Sequence, residues 1–192
     1  MERCQMKREY ENIGSFVVTG GKIRVTDPCY NKEVWCAGVL KNCVPGRYDA
    51  YIARQDEGDW GIRVAMLVIK HEDCAAKIEE ADKVFADEDG CVHASYLWKN
   101  SGIDVGVDSG QCGFFDEDNV FTDLAVEGMP AAISDYGSSF YDHCCDITLT
   151  EKSAGVITHG CVSSSGLGDG GYCCYYRRNE FGQVNMACIL YL

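Results

Sequence analysis

Residues 163–172 read Ser163-Ser164-Ser165-Gly166-Leu167-Gly168-Asp169-Gly170-Gly171-Tyr172, and they constrain the fold more than any other stretch. Four glycines, three serines and one aspartate lie between two apolar, strand-like runs. Glycine admits φ > 0 and lets another backbone come close. An ordinary hairpin needs one or two such positions, so a loop holding four does more than reverse the chain. Asp169, flanked by Gly168 and Gly170, is presented on an otherwise bare loop. The alternative is a solvated connection with no task of its own. Both readings stand at this point.

The runs around that loop have strand character. Residues 172–178 and 183–192 read as a hairpin around 179–182. Val184, Met186, Cys188 and Leu190 fall on one face and Ala187, Ile189 and Tyr191 on the other, which predicts an interior strand. Gly20-Gly21 between residues 15–19 and 22–26 is a two-residue hairpin signal. Pro28 then ends the second strand. Residues 47–54 alternate as a half-buried strand does, 55–61 reverse the chain, and 62–69 read as a central strand. Residues 103–107 form another strand, Asp108-Ser109-Gly110 ends or bulges it, and 113–115 resume it. An isolated glycine in such a run marks a bulge or a close approach.

Helices are few. Asp73 is placed to cap a helix over residues 74–86, with Ile78, Ala81 and Phe85 inward and a Glu79/Lys83 pair outside. Residues 119–130 read as loop, and 136–145 as a short helix turning Phe140, Tyr141 and Cys144 inward. Residues 146–150 and 155–161 read as a hairpin around 151–154. The predicted fold is α+β and β-rich: a mostly antiparallel sheet or sandwich built from hairpins, with one or two flanking helices. A single domain over residues 1–192 is expected, with 1–14 as a loosely ordered N-terminal arm.

Composition limits the function. The net charge of −13 argues against a nucleic-acid partner, which requires a basic face. Acids and bases alternate along most of the chain, unlike the carboxylate rows of a DNA mimic. No run approaches the roughly 18 apolar residues that span a bilayer, so no membrane partner is expected. Residues 1–9 carry charge with no apolar segment behind them, unlike a secretory signal. A reducing cytoplasm is the expected compartment. The 13 cysteines then read as thiols, mostly small core side chains, and no Cys-x-x-Cys occurs among them. His71-x-x-Cys74 and His143-Cys144 come nearest to metal-ligand spacing, without a second half.

Four segments carry a resemblance. They are residues 21–28, ending in Asp27-Pro28; Pro45-Gly46-Arg47-Tyr48; residues 107–116, opening Val107-Asp108-Ser109-Gly110; and residues 164–172 with the hairpin behind them. This order resembles an uncharacterised domain-of-unknown-function family of bacterial and phage-encoded proteins, over roughly residues 16–192. Cys173-Cys174 departs from that pattern, and residues 119–139 have no clear counterpart in it. The resemblance implies a site at these segments and no particular chemistry.

The candidate ligand-binding residues are therefore Asp27, Asp108, Ser109, Gln111, Ser165, Asp169 and Tyr172. Three converging carboxylates would hold magnesium or calcium through oxygen, or split their pKa values so that one serves as acid or base. Alternatively, they bind backbone N–H groups of the glycine turns. No cofactor or metal is assigned. A nucleophilic serine lacks its Gly-x-Ser-x-Gly elbow, and Cys112 with His93 or His143 is a pairing that thirteen cysteines make easy to find. The expected function is a cytoplasmic, phage-derived binding or interaction module for a small molecule or protein partner. The alternative is a metal-dependent hydrolase using Asp27, Asp108 and Asp169.

Overall fold

The computed structural model describes residues 7–87 and 89–192, and the two-residue period organises most of it. The N-terminal half contains β1 (Tyr10–Val18), β2 (Lys22–Thr26), β3 (Gly38–Lys41), β4 (Gly46–Asp56) and β5 (Ile62–His71). Two short strands follow, β6 (Val84–Ala86) and β7 (Val92–Ala94), then β8 (Lys99–Val107) and β9 (Gln111–Asp116). Helix α1 (Ser139–Thr148) precedes β10 (Ala154–Ile157), β11 (Gly160–Ser164), β12 (Gly170–Arg178) and β13 (Val184–Leu190). The fold is α+β and β-rich, as its patterning predicts. β1 takes in residues 10–14 of the expected N-terminal arm, and residues 1–6 lie outside the described residues.

Two antiparallel sheets make the body. One has the order β1-β4-β5-β13-β12-β8, and the other β10-β11-β9-β2-β3. β13 is interior, between β5 and β12, and buried on both faces as its apolar run requires. Phe16, Ile23, Val25, Tyr48, Ile52, Leu67, Phe114 and Ile189 pack between the sheets. The outer face of the six-stranded sheet is covered by residues around Cys74, Ala81, Val84 and Trp98. Helix α1 and the segment around Val120 and Val126 cover the outer face of the other. Gly113 is a tight point within the second sheet, where β9 lies against β11. A Cβ there would lie 2.3 Å from the Cys161 carbonyl oxygen and 2.5 Å from the Phe115 ring, so no other residue fits.

Four connections pass from one sheet to the other: β1 to β2, β3 to β4, β8 to β9 and β11 to β12. Gly20-Gly21 is thus a corner and not the predicted hairpin. β1 pairs with β4, Phe16 opposite Tyr48 with rings 5.9 Å apart, while β2 pairs with β3 and β9. Burial of those large side chains outweighs a local turn signal.

Two other expectations are corrected. Residues 74–86 hold a 3-10 turn at Ile78–Lys83 and then β6, in place of a helix. Lys83 bonds Glu80 at i, i+3 (2.9 Å), not Glu79, and β6 is drawn off to pair with β7. Residues 146–148 finish helix α1, so the predicted strand at 146–150 is absent and the hairpin turns later, with Ile157 opposite Gly160. Ser138 starts the helix by accepting the Tyr141 N–H (3.2 Å).

Candidate functional site

Pro28 cannot continue the β2 ladder, so the strand stops and Asp27 is left at its end, fully buried. Its Oδ1 accepts the Cys29 N–H (2.9 Å) and the Ser109 hydroxyl (2.6 Å). Its Oδ2 accepts the N–H groups of Asp108 (2.9 Å) and Ser109 (2.7 Å). A carboxylate offers roughly four acceptor positions, and here all are filled. Asp27 therefore fastens the β8–β9 corner to the end of β2 and has no oxygen left for a cation.

The glycine loop closes on the same corner. Ser165, fully buried, donates its N–H to the Gly110 carbonyl (3.0 Å) and its hydroxyl to Gly168 O (2.9 Å). Tyr172 donates its hydroxyl to Gly168 O (2.7 Å), and Gly168 N–H returns to Ser165 O (2.8 Å). Gly166, at φ +55, would bring a Cβ to 3.0 Å from that of Tyr191. Ser165 and Tyr172 are thus spent inside the loop, while Asp169 is exposed on it. Asp108 is exposed on the other corner, and its carboxylate, with burial, raises the Tyr30 hydroxyl. Gln111 opens β9, buried, with Nε2 donating to Cys145 Sγ (3.4 Å) and Oε1 without a partner among the described residues.

The three motif segments do meet, through backbone and Asp27. Their carboxyl groups do not make a metal centre: among the described residues no group of three or more His, Cys, Asp or Glu side chains is placed to hold a metal ion. The chance pairings of Cys112 with His93 or His143 gain nothing either. Cys112 is fully buried and burial pushes its thiol well up. His93 bonds Asp87 (2.8 Å), and both ring nitrogens of His143 face carbonyl oxygens, of Ser139 and Pro130.

Beside the Asp27 clamp opens a hollow of about 390 Å³. Its walls include Cys29 and Tyr30 from the chain leaving β2, Phe121, and Tyr136, Phe140 and Tyr141 around the start of α1. Helix α1 steadies that wall. Asp142 accepts the Tyr136 N–H (2.6 Å), and Asp146 accepts the N–H of Ile133 (2.6 Å) and the Ser134 hydroxyl (2.6 Å). Burial and the neighbouring Asp27 push the Cys29 thiol up to about 12, which leaves it protonated and a poor nucleophile. Burial, with Cys145 beside it, pushes Tyr141 up to about 12. Burial and the Asp108 carboxylate also raise Tyr30. The walls thus present hydroxyl donors and ring faces, and no lysine, arginine or histidine lines them.

Sequence reasoning named the clamp and missed the hollow. Two signals were present. Residues 136–141, Tyr-Gly-Ser-Ser-Phe-Tyr, place three aromatic rings around a double-serine cap. Residues 100–142 contain no lysine, arginine or histidine but nine acidic residues, against the expectation of alternating charge along most of the chain.

Fold and site together define a β-rich α+β protein whose two main antiparallel sheets are crossed at a β8–β9 corner that one buried aspartate ties to the end of β2. The family model described as protein of unknown function (DUF4241) matches residues 16–189, and the chain belongs to that family. Neither a curated protein nor a solved structure matches it.

Proposed function

We propose that this protein is a binding or interaction module of the cytoplasm, with the aromatic hollow beside Asp27 as its seat. The observation that carries the reading is the hollow itself: about 390 Å³, walled by five aromatic side chains, where the motif corners approach the start of α1. That volume lies in the range of pockets that take a small molecule or one large side chain. The Asp27 bond to Cys29 and the Ser138 cap hold its walls from two sides, so little ordering accompanies binding. Every described cysteine is a free thiol, in keeping with a reducing compartment. No helix among the described residues is long and apolar enough to cross a membrane. A phage source follows from the resemblance of the motifs alone.

The test is a titration of the ¹⁵N-labelled protein with phenol, methylguanidinium and acetate, each alone. Amide shifts centred on residues 29–30 and 136–141 with at least one probe are expected. Responses confined to other surfaces with all three would overturn the reading.

A further inference from the structure

We infer that the hollow receives a basic side chain, arginine or lysine, from a partner protein. This rests on the hollow being the seat and adds the chemistry of its occupant.

Charge is the first reason. The segments that wall the hollow after β8 lie within residues 100–142, where nine acidic residues occur with no basic one. The chain from β2 carries one basic residue, Lys32, and its ammonium group is held by the Glu117 carbonyl (2.8 Å). Arg24, the basic residue that precedes it, is paired to Glu117 at 2.7 Å. Asp108 is exposed and its charge acts on the Tyr30 hydroxyl at one wall, and Asp142 accepts the Tyr136 N–H at another. Aromatic faces carry negative potential, and a guanidinium or ammonium within a few ångströms of several of them is attracted without needing a buried counter-ion. An anion would meet no cationic partner. The positive start of α1 is offset by Asp142 in its first turn, and wall hydroxyls alone would be left to an anion.

Exposed apolar side chains on the segments that supply the walls are the second reason, and they point to a protein over a small cation. Ile133 is 95% exposed and Trp35 is 92% exposed, more than any other large apolar side chain described. Ile133 lies three residues before Tyr136 and Trp35 five residues after Tyr30, on the two chain segments that supply those wall rings. Apolar side chains on both segments that frame a pocket give a surface that excludes water around an inserted anchor.

The experiment uses an N-acetylated hexa-arginine peptide, a hexa-glutamate peptide and methylguanidinium against the full chain. Binding of hexa-arginine is expected with amide shifts at residues 29–30 and 136–141. Tyr136→Ala and Trp35→Ala should each weaken it about fivefold or more, and Tyr136→Phe should stay within about twofold. Tyr136 and Trp35 are exposed, so these variants keep the fold; thermal melting confirms it. Binding unchanged by Tyr136→Ala, or shared equally by hexa-glutamate, would overturn the inference. Methylguanidinium binding as tightly as the peptide would overturn the protein partner in favour of a small cation. Phenol or acetate binding in the hollow while hexa-arginine does not would overturn the cation and leave the seat standing.

Discussion

Asp27 holds Ser109 twice, taking its backbone N–H on Oδ2 at 2.7 Å and its hydroxyl on Oδ1 at 2.6 Å. Replacing Asp27 by alanine strands three N–H donors and one hydroxyl at a corner with little access to water. A loss of about 3 kcal/mol or more is expected, the scale of a broken buried network. Asp27→Asn keeps one acceptor and turns an NH₂ toward the other donors, so it should lose about 2 kcal/mol. Urea unfolding of each variant measures this. Asp169, exposed on the glycine loop, should behave differently: Asp169→Asn is expected within about 0.5 kcal/mol of the parent.

Gly166 should tolerate no side chain. Its φ of +55 and the 3.0 Å approach to Tyr191 act together, and Tyr191 is itself held by packing on Tyr172, ring centroids 5.1 Å apart. Gly166→Ala is expected to lower the melting temperature by several degrees, about 1–2 kcal/mol, without moving the resonances of residues 136–141. A stabilised Gly166→Ala protein would contradict the loop geometry.

Cys29 is exposed to reagent yet held protonated. With its thiol pushed to about 12, alkylation by iodoacetamide at pH 8 should run at least tenfold slower than for a cysteine in an unstructured peptide. Asp27→Asn removes the carboxylate that adds to this shift and should speed the reaction. Residue-resolved mass spectrometry reads both rates.

The Asp146 carboxyl is held below the usual aspartate range by the Ser134 hydroxyl and the N–H groups of Ile133 and Ser134. A depressed folded pKa gives stability that is present above the unfolded value and lost as pH falls through the folded one. Acidification below about pH 4 should therefore free residues 133–134 from helix α1. The Ile133 and Ser134 amide resonances should titrate in that window. In Asp146→Asn they should not.

The strands that alternate or run apolar were legible because burial alone fixes them: Tyr48, Ala50 and Ile52 face the core as their spacing says. Asp27 was legible as a strand-end carboxylate, and its role as a turn-binding group was one of the open readings. Gly20-Gly21 misled because a corner and a hairpin ask the same of two residues; which one forms depends on Phe16 meeting Tyr48 far along the chain. The helix over 74–86 misled because Ile78, Ala81 and Phe85 fit i, i+3 as well as i, i+4, and Trp98 Nε1 bonding the Glu80 carbonyl (2.9 Å) lies outside any local pattern. The hollow was hidden for a related reason. Tyr30 and Tyr141 are over a hundred residues apart and converge through the Asp27 clamp and helix α1.

The central claim is a division of labour: Asp27 holds the corner and the aromatic hollow binds. The most direct measurement melts and titrates Asp27→Asn and Tyr136→Ala side by side, with hexa-arginine as the probe. Tyr136→Ala should melt like the parent and bind about fivefold more weakly or worse, while Asp27→Asn should melt about 4–8 °C lower. If Tyr136→Ala binds like the parent, or if Asp27→Asn melts like it, the account is contradicted.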